Sequence, residues 1–427
     1  MASVLAGEPR DVRRAIEVLG RILIGSVPSR TTFDGFLHSS LGRSNSEVVC
    51  ESRSLSSIGH VTAGLALAAL IDKFDPPVGP GNDHEPPTWG SVEIGDERVA
   101  PPATLATFFC AGQLAPVPVV VRIESNAFDE NCRVQVYTVP TDREHAARVL
   151  DAIMDDARGA MSLFRGRALA ASVEQGLVLE PIDLPDVSRS NVVVPEEVWA
   201  EIDLNVAAVT VHRDLMERLG LGVRRGILLA GPPGVGKSVV SRVLARELLG
   251  QFTVVMVDAR AGQFALSGVY REARGFGPTL VIIEDIDLIV GNRKGRGANS
   301  VLSEFLAVMD ADPMAPLLTV ASTNDVKTLD AAAIRSARFD SIIEIGYPSR
   351  EAATRILSAY LHNVPGAADV ELDAVAVHFG PETSGADIRE IVRRTVLSGS
   401  GRVCTNDLIA TVKSGRFKPQ LPAGNYL

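Results

Sequence analysis

Residues 226–238 read Gly-Ile-Leu-Leu-Ala-Gly-Pro-Pro-Gly-Val-Gly-Lys-Ser, a short apolar run entering a glycine-rich turn and then a helix. Gly231, Gly234 and Gly236 lack side chains, so the backbone can curl and aim several N–H groups at one point, to which the following helix adds the positive end of its dipole. Lys237 supplies a full charge and Ser238 a hydroxyl able to ligate Mg²⁺. Such a cradle takes phosphate. Its context supports this, because residues 227–229 read as a buried strand and Val240, Val243, Leu244 and Leu248 recur at helical spacing behind the turn.

Downstream, strands alternate with helices. Residues 227–230, Thr253–Asp258, Thr279–Glu284, Leu317–Thr323 and 341–345 are five short, mostly branched apolar runs, the composition of a parallel sheet buried on both faces. Ligands of such sheets sit at the carboxyl ends of the strands. The third run ends in Glu284-Asp285-Ile286-Asp287, and adjacent acids at the mouth of a buried strand are costly unless they meet a cation or donors. Glu284 is expected to face the Mg²⁺ shell and Asp285 to orient or deprotonate an attacking water. The fourth run ends at Asn324, placing an amide beside the γ-phosphate. Arg335 and Arg338, three apart on one predicted helical face, suit the phosphates held by a neighbouring subunit. Ser384-Gly385-Ala386-Asp387 has capping-box spacing, and its small residues let a base approach closely.

In order and spacing these motifs resemble the AAA ATPase family over roughly residues 195–415. The resemblance implies an α/β class, a P-loop NTPase core with a five-stranded parallel sheet and a small helical lid, here preceded by an α+β amino-terminal region. It also implies ATP with Mg²⁺ as cofactors, a homo-oligomeric ring, usually a hexamer, and hydrolysis coupled to remodelling of a protein client. Carried over by position, Gly231, Pro232, Pro233, Gly234, Val235, Gly236, Lys237, Ser238 and Val239 bind nucleotide, with Lys237 on phosphate and Ser238 and Glu284 on the metal. Asn324 is the γ-phosphate sensor, Arg335 and Arg338 are fingers offered in trans, and Gly385 and Ala386 lie near adenine.

Two departures bear on activity. The family has Asp then Glu where this chain has Glu284 then Asp285. The exchange moves each carboxylate by one methylene, about 1.5 Å, and misplacement on that scale costs on the order of 100-fold in rate, so a slow ATPase is expected. The stretch after the second strand, Ala-Arg-Ala-Gly-Gln-Phe-Ala-Leu-Ser at residues 259–267, is brief, with Phe264 its one aromatic residue. This short loop and the Glu-Asp order are similar to those of the mitochondrial inner-membrane AAA translocase that moves a folded iron–sulfur protein. Assembly or remodelling of a folded partner is therefore favoured over threading. A nucleotide-gated scaffold that barely hydrolyses ATP is an alternative. Another is a DNA-acting ring, for which Arg293, Lys294 and Arg296 could line a pore.

With 427 residues the chain suggests about three domains. The boundaries expected are a helical segment over 1–102 ending in a Pro/Gly-rich linker, a small α+β module over 103–190, the ATPase core over 191–347, and a lid with tail over 348–427. Helices are predicted over 11–26 and 58–71. The second is a 14-residue apolar run, short of the roughly 20 residues that span a bilayer, so a membrane partner is not expected. The net charge of −10 argues against a surface that coats nucleic acid. Four dispersed cysteines point to neither a zinc site nor a disulfide framework and fit a cytoplasmic protein. The amino-terminal half carries no recognisable chemistry and reads as a recognition or assembly module.

Overall fold

The computed structural model describes residues 32–83, 85–94, 97–125, 132–159, 162–173, 177–258, 262–287, 315–324, 339–399 and 401–418. The helix predicted over 11–26 lies outside them. The described residues divide into two compact units, the first drawn mainly from those up to 165 and the second from those of 166–173, 182–273 and 278–418.

The first unit is an antiparallel sheet in the order Val49–Leu55, Cys132–Thr138, Val119–Glu124, Pro102–Phe109, Val78–Gly79. One face packs its alternate residues Val119, Val121 and Ile123 with Ala63, Ala66 and Leu67 of helix Ser57–Phe74 and with Ala146, Leu150 and Ile153 of helix Arg143–Arg158. The other face meets helix Phe33–Leu41 through Phe33, Phe36, Val120 and Tyr137.

Helices Phe33–Leu41 and Ser57–Phe74 thus pack on the same sheet as strands Pro102–Phe109, Val119–Glu124 and Cys132–Thr138, whereas a separate helical segment ending at 102 was expected. The Pro/Gly-rich stretch is likewise no mere linker. Val78–Gly79 and Thr88–Trp89 both pair with Pro102–Phe109, and Val92–Ile94 pairs with Glu97–Val99. The prolines are tolerated because these are short edge strands or strand starts, where a missing N–H breaks no central ladder.

Helix Ser57–Phe74 is longer than its apolar run, since Ser56 caps the Gly59 N–H and moves the start outward. At 18 residues and mean hydropathy 1.2 it is long and apolar enough to cross a membrane, and 39% of it is buried within the unit. His60 on this helix is buried and its Nε2 bonds the Ala103 carbonyl at 2.9 Å. Burial lowers its pKa below the ordinary histidine value, against a smaller opposing effect of that hydrogen bond. The unfolded chain therefore binds this proton more readily, and the contribution of neutral His60 to stability is lost as pH falls below about 6.5. Denaturant unfolding followed from pH 7.5 to 5 is expected to show that loss, and His60→Gln, which keeps a donor for Ala103 but cannot titrate, is expected to flatten it.

Among its described residues the second unit holds six strands: β1 (Ala168–Val173), β2 (Arg225–Ala230), β3 (Thr253–Asp258), β4 (Thr279–Glu284), β5 (Leu317–Thr323) and β6 (Ser341–Glu344). Their order is β1-β3-β4-β5-β2-β6, with every pairing parallel. The parallel sheet was expected. Strand β1 was not expected; it comes from a stretch assigned to the preceding module, and its small residues Ala168, Ala170 and Ala171 gave a weak strand signal.

Helices α1 (Glu196–Val209) and α2 (Arg213–Leu219) precede β2, α3 (Lys237–Leu248) follows it, and α4 (Gly262–Glu272) follows β3. The core interleaves Ile227 and Leu229 of β2, Val240 and Leu244 of α3, Val254 of β3, Ile282 of β4 and Val320 of β5. A lid of α5 (Arg350–Leu361), α6 (Leu372–Ala376), α7 (Gly385–Ser398) and α8 (Thr405–Ser414) closes on its own cluster around Leu357, Ile388, Ile391 and Leu408.

Candidate functional site

Because β2 lies between β5 and β6, the chain reverses its direction of growth across the sheet at β2, and a crevice opens at the carboxyl ends of β2, β4 and β5. Residues 231–236 turn there. Gly231 follows the last residue of β2 so closely that a Cβ would press into the Ile345 carbonyl. Gly234 (φ +80°) faces the lid, and a Cβ on it would sit 2.8 Å from both the Ala386 methyl and the Ser384 hydroxyl. The lid touches this loop directly, through the Ala386 N–H donating to the Gly234 carbonyl at 3.0 Å. Ser384 caps α7 by accepting from the Asp387 N–H, and the Asp387 carboxylate accepts from the Ser384 N–H in return.

Lys237, at the first position of α3, is buried, and its ammonium donates to the carbonyls of Gly231 (2.7 Å) and Pro232 (2.8 Å) and to Asn324 Oδ1 (2.9 Å). Burial lowers its pKa, opposed by the carboxylates of Asp285 and Asp287. The Asn324 amide is a bridge. Its Nδ2 donates to Asp285 Oδ1 at 3.1 Å while its backbone N–H donates to Asp287 Oδ1 at 3.1 Å. Cation, amide and two carboxylates from the ends of β2, β4 and β5 thus form one hydrogen-bonded set.

Asp285 adopts φ +53°, the left-handed region that few non-glycine residues visit. Its N–H donates to the buried Ser322 hydroxyl at 3.1 Å, which holds the turn, and Ile286 is fully buried beyond it. Strain of about 1 kcal/mol is kept because the turn aims the carboxylate at Asn324.

Glu284 ends β4, and its Oε1 is buried without a hydrogen-bond partner, with the Arg242 guanidinium 4.0 Å away. An unsatisfied buried carboxylate oxygen is costly unless a cation or its bound water meets it, so this residue fits a metal role. Among the described residues no cluster of three or more His, Cys, Asp or Glu could hold an ion alone. That donor set suits Mg²⁺, which takes one or two protein oxygens and completes its shell from phosphates and water. Ser238 and Glu284 would hold it.

A cavity of about 650 Å³ extends from this cluster to the lid. Gly385 and Ala386 line it, as do Ser238 and Val239. So do residues that sequence reasoning missed, namely Val192 and Val194 before α1, and Ile356 and Tyr360 on α5. The spacing of four between Ile356 and Tyr360 puts them on one helical face and was the available signal; Val192 and Val194 offered none. Arg335 and Arg338, and with them Arg293, Lys294 and Arg296, lie outside the described residues. Helix α4 begins at Gly262, so the connection from β3 spans only 259–261 and Phe264 belongs to a helical turn.

Residues 227–347 match the ATPase family associated with various cellular activities (AAA). Among curated proteins the chain is 30% identical over 202 residues to the cell division cycle protein 48 homolog of Archaeoglobus fulgidus, covering 45% of this chain and 27% of that one. It is 28% identical over 257 residues to the proteasome-activating nucleotidase of Saccharolobus solfataricus, covering 56% and 65%. It is 29% identical over 307 residues to the ATP-dependent zinc metalloprotease FtsH of Acidothermus cellulolyticus, covering 66% and 46%. The chain spans less than two thirds of the length of each.

Proposed function

From the premise that residues 227–347 are an AAA ATPase domain, we propose that the chain hydrolyses ATP with Mg²⁺ and uses the turnover, within a homo-oligomeric ring, to remodel or assemble a protein partner. The observation that carries this reading is the Asn324 bridge, which joins the cation of the phosphate loop to the carboxylate placed to act on water. In this mechanism the loop N–H groups and Lys237 bind the β- and γ-phosphates. Asp285 orients a water and accepts its proton as the oxygen attacks the γ-phosphorus; the bond to the β–γ bridging oxygen breaks and ADP leaves. Asn324 reports the γ-phosphate to both partners. Bound Mg²⁺ would supply charge neutralisation to the phosphates, held from the protein side by Ser238 and Glu284.

The names of the relatives, a nucleotidase that activates the proteasome and an ATP-dependent protease among them, support a protein as the client. Arg335 and Arg338 are the proposed fingers between copies of a hexamer, and the first unit is the proposed client-selecting module. We place the protein in the cytoplasm, which its four cysteines, dispersed along the chain, suit.

The test measures phosphate release from Mg²⁺-ATP alongside light-scattering mass with ATP, with ADP and without nucleotide. Slow turnover with a larger mass in ATP is expected. A nucleotide-dependent mass with no turnover would instead identify a gated scaffold, and the absence of both turnover and a mass change would refute the reading.

A further inference from the structure

Five hydrogen bonds and an aromatic face converge on one side chain outside the phosphate loop. The Arg189 guanidinium donates through Nε to both oxygens of Glu247 (2.8 and 3.0 Å) and through Nη2 to Glu247 Oε2 (2.8 Å). It also forks onto Asp203, Nη1 to Oδ2 at 2.7 Å and Nη2 to Oδ1 at 2.6 Å. The Trp199 ring lies beneath it, 4.6 Å from the guanidinium carbon to the ring centroid.

The places of these partners matter more than their number. Asp203 and Trp199 belong to α1, and Glu247 lies in the last turn of α3, whose first turn carries Lys237 and Ser238. Arg189 itself opens a single 3₁₀ turn, closed by the Val192 N–H on the Arg189 carbonyl at 3.1 Å, and the chain then runs as Val192, Val193 and Val194 along the cavity. This wall is neither helix nor strand, so no ladder fixes its distance from the phosphate loop.

We propose that Arg189 is a positioning residue for adenine: its double fork ties the Val192–Val194 wall to α3 and so sets the gap into which the base fits. The proposal rests on reading the cavity as an ATP site. Partly exposed ion pairs contribute little to folding, whereas a planar fork bound to two carboxylates constrains geometry strongly. Loss of Arg189 is therefore read in the position of the wall more than in stability, and it affects ligands that carry a base.

Binding of ADP and of inorganic pyrophosphate is compared by calorimetry in the full chain, in Arg189→Ala, and in Asp203→Asn/Glu247→Gln, which breaks the same fork from the other side. Both variants are expected to weaken ADP about tenfold, the scale of a wall that must be ordered on binding, and to leave pyrophosphate within about twofold. The KM for ATP should rise with ADP affinity lost, at unchanged kcat. Arg189→Lys, a point charge without a fork, should recover little. Parallel weakening of both ligands would mean general damage and overturn the proposal, as would full ADP affinity in Arg189→Ala when the unaltered chain binds ADP. An unaltered chain that binds neither ligand would sink the reading of the cavity itself, and the proposal with it.

Discussion

Asp285→Asn is expected to lower ATP turnover by about 100- to 1,000-fold while leaving ATP affinity within about threefold. The substitution isolates the charge. Asparagine is among the few residues that tolerate the left-handed backbone, so the φ of +53° and the Asp285 N–H bond to Ser322 are retained. The side chain can still meet the Asn324 amide through its own oxygen, so the set around Lys237 stays connected. What disappears is the acceptor for the water proton. Single-turnover phosphate release in the variant and the parent makes the comparison, with ADP titration as the control for binding. Turnover that survives intact would transfer the role of base to Glu284, the other carboxylate at the end of β4.

Lys237→Ala is expected to weaken ADP and ATP alike by about 100-fold, equivalent to about 2.7 kcal/mol, the scale of two charge-assisted hydrogen bonds lost together. The buried ammonium joins the Gly231 and Pro232 carbonyls to Asn324, so its removal takes away both the charge seen by the phosphates and a tie between β2 and β5. Lys237→Arg is not a rescue, because a planar fork does not place one compact charge between those acceptors. Isothermal titration with ADP reads the effect, and an unchanged thermal transition in the variant separates it from unfolding. Near-parent affinity in Lys237→Ala would show that the loop backbone alone holds the phosphates.

Much of this site is legible in the sequence. The phosphate loop is contiguous in sequence, and each residue type in it answers a local demand: glycine for turning the backbone, lysine for charge, serine for a hydroxyl. The acids after β4 and the amide after β5 could be placed because buried parallel strands end at a common edge, so residues far apart in the chain become neighbours by topology. What stayed hidden was the wall built by unpatterned chain. Val192 and Val194 carry no periodicity, and Arg189 finds its carboxylates 14 and 58 positions away. The first unit was harder still. Val49–Leu55 is rich in polar residues because it is an edge strand, and Pro102–Phe109 begins at a proline, so both fell below a strand pattern drawn from buried sheets.

By itself the sequence determined the nucleotide loop, the order of strands and helices behind it, and the chemical types at the strand ends, since all of these are set by near neighbours and by burial period. Only the tertiary structure decided that Asn324 stands between Lys237 and Asp285, that Glu284 presents a buried oxygen without a hydrogen bond, and that Ala168–Val173 joins the sheet. Those outcomes depend on which edges and ends meet in space, and that is a property of the packed fold that no local window of residues encodes.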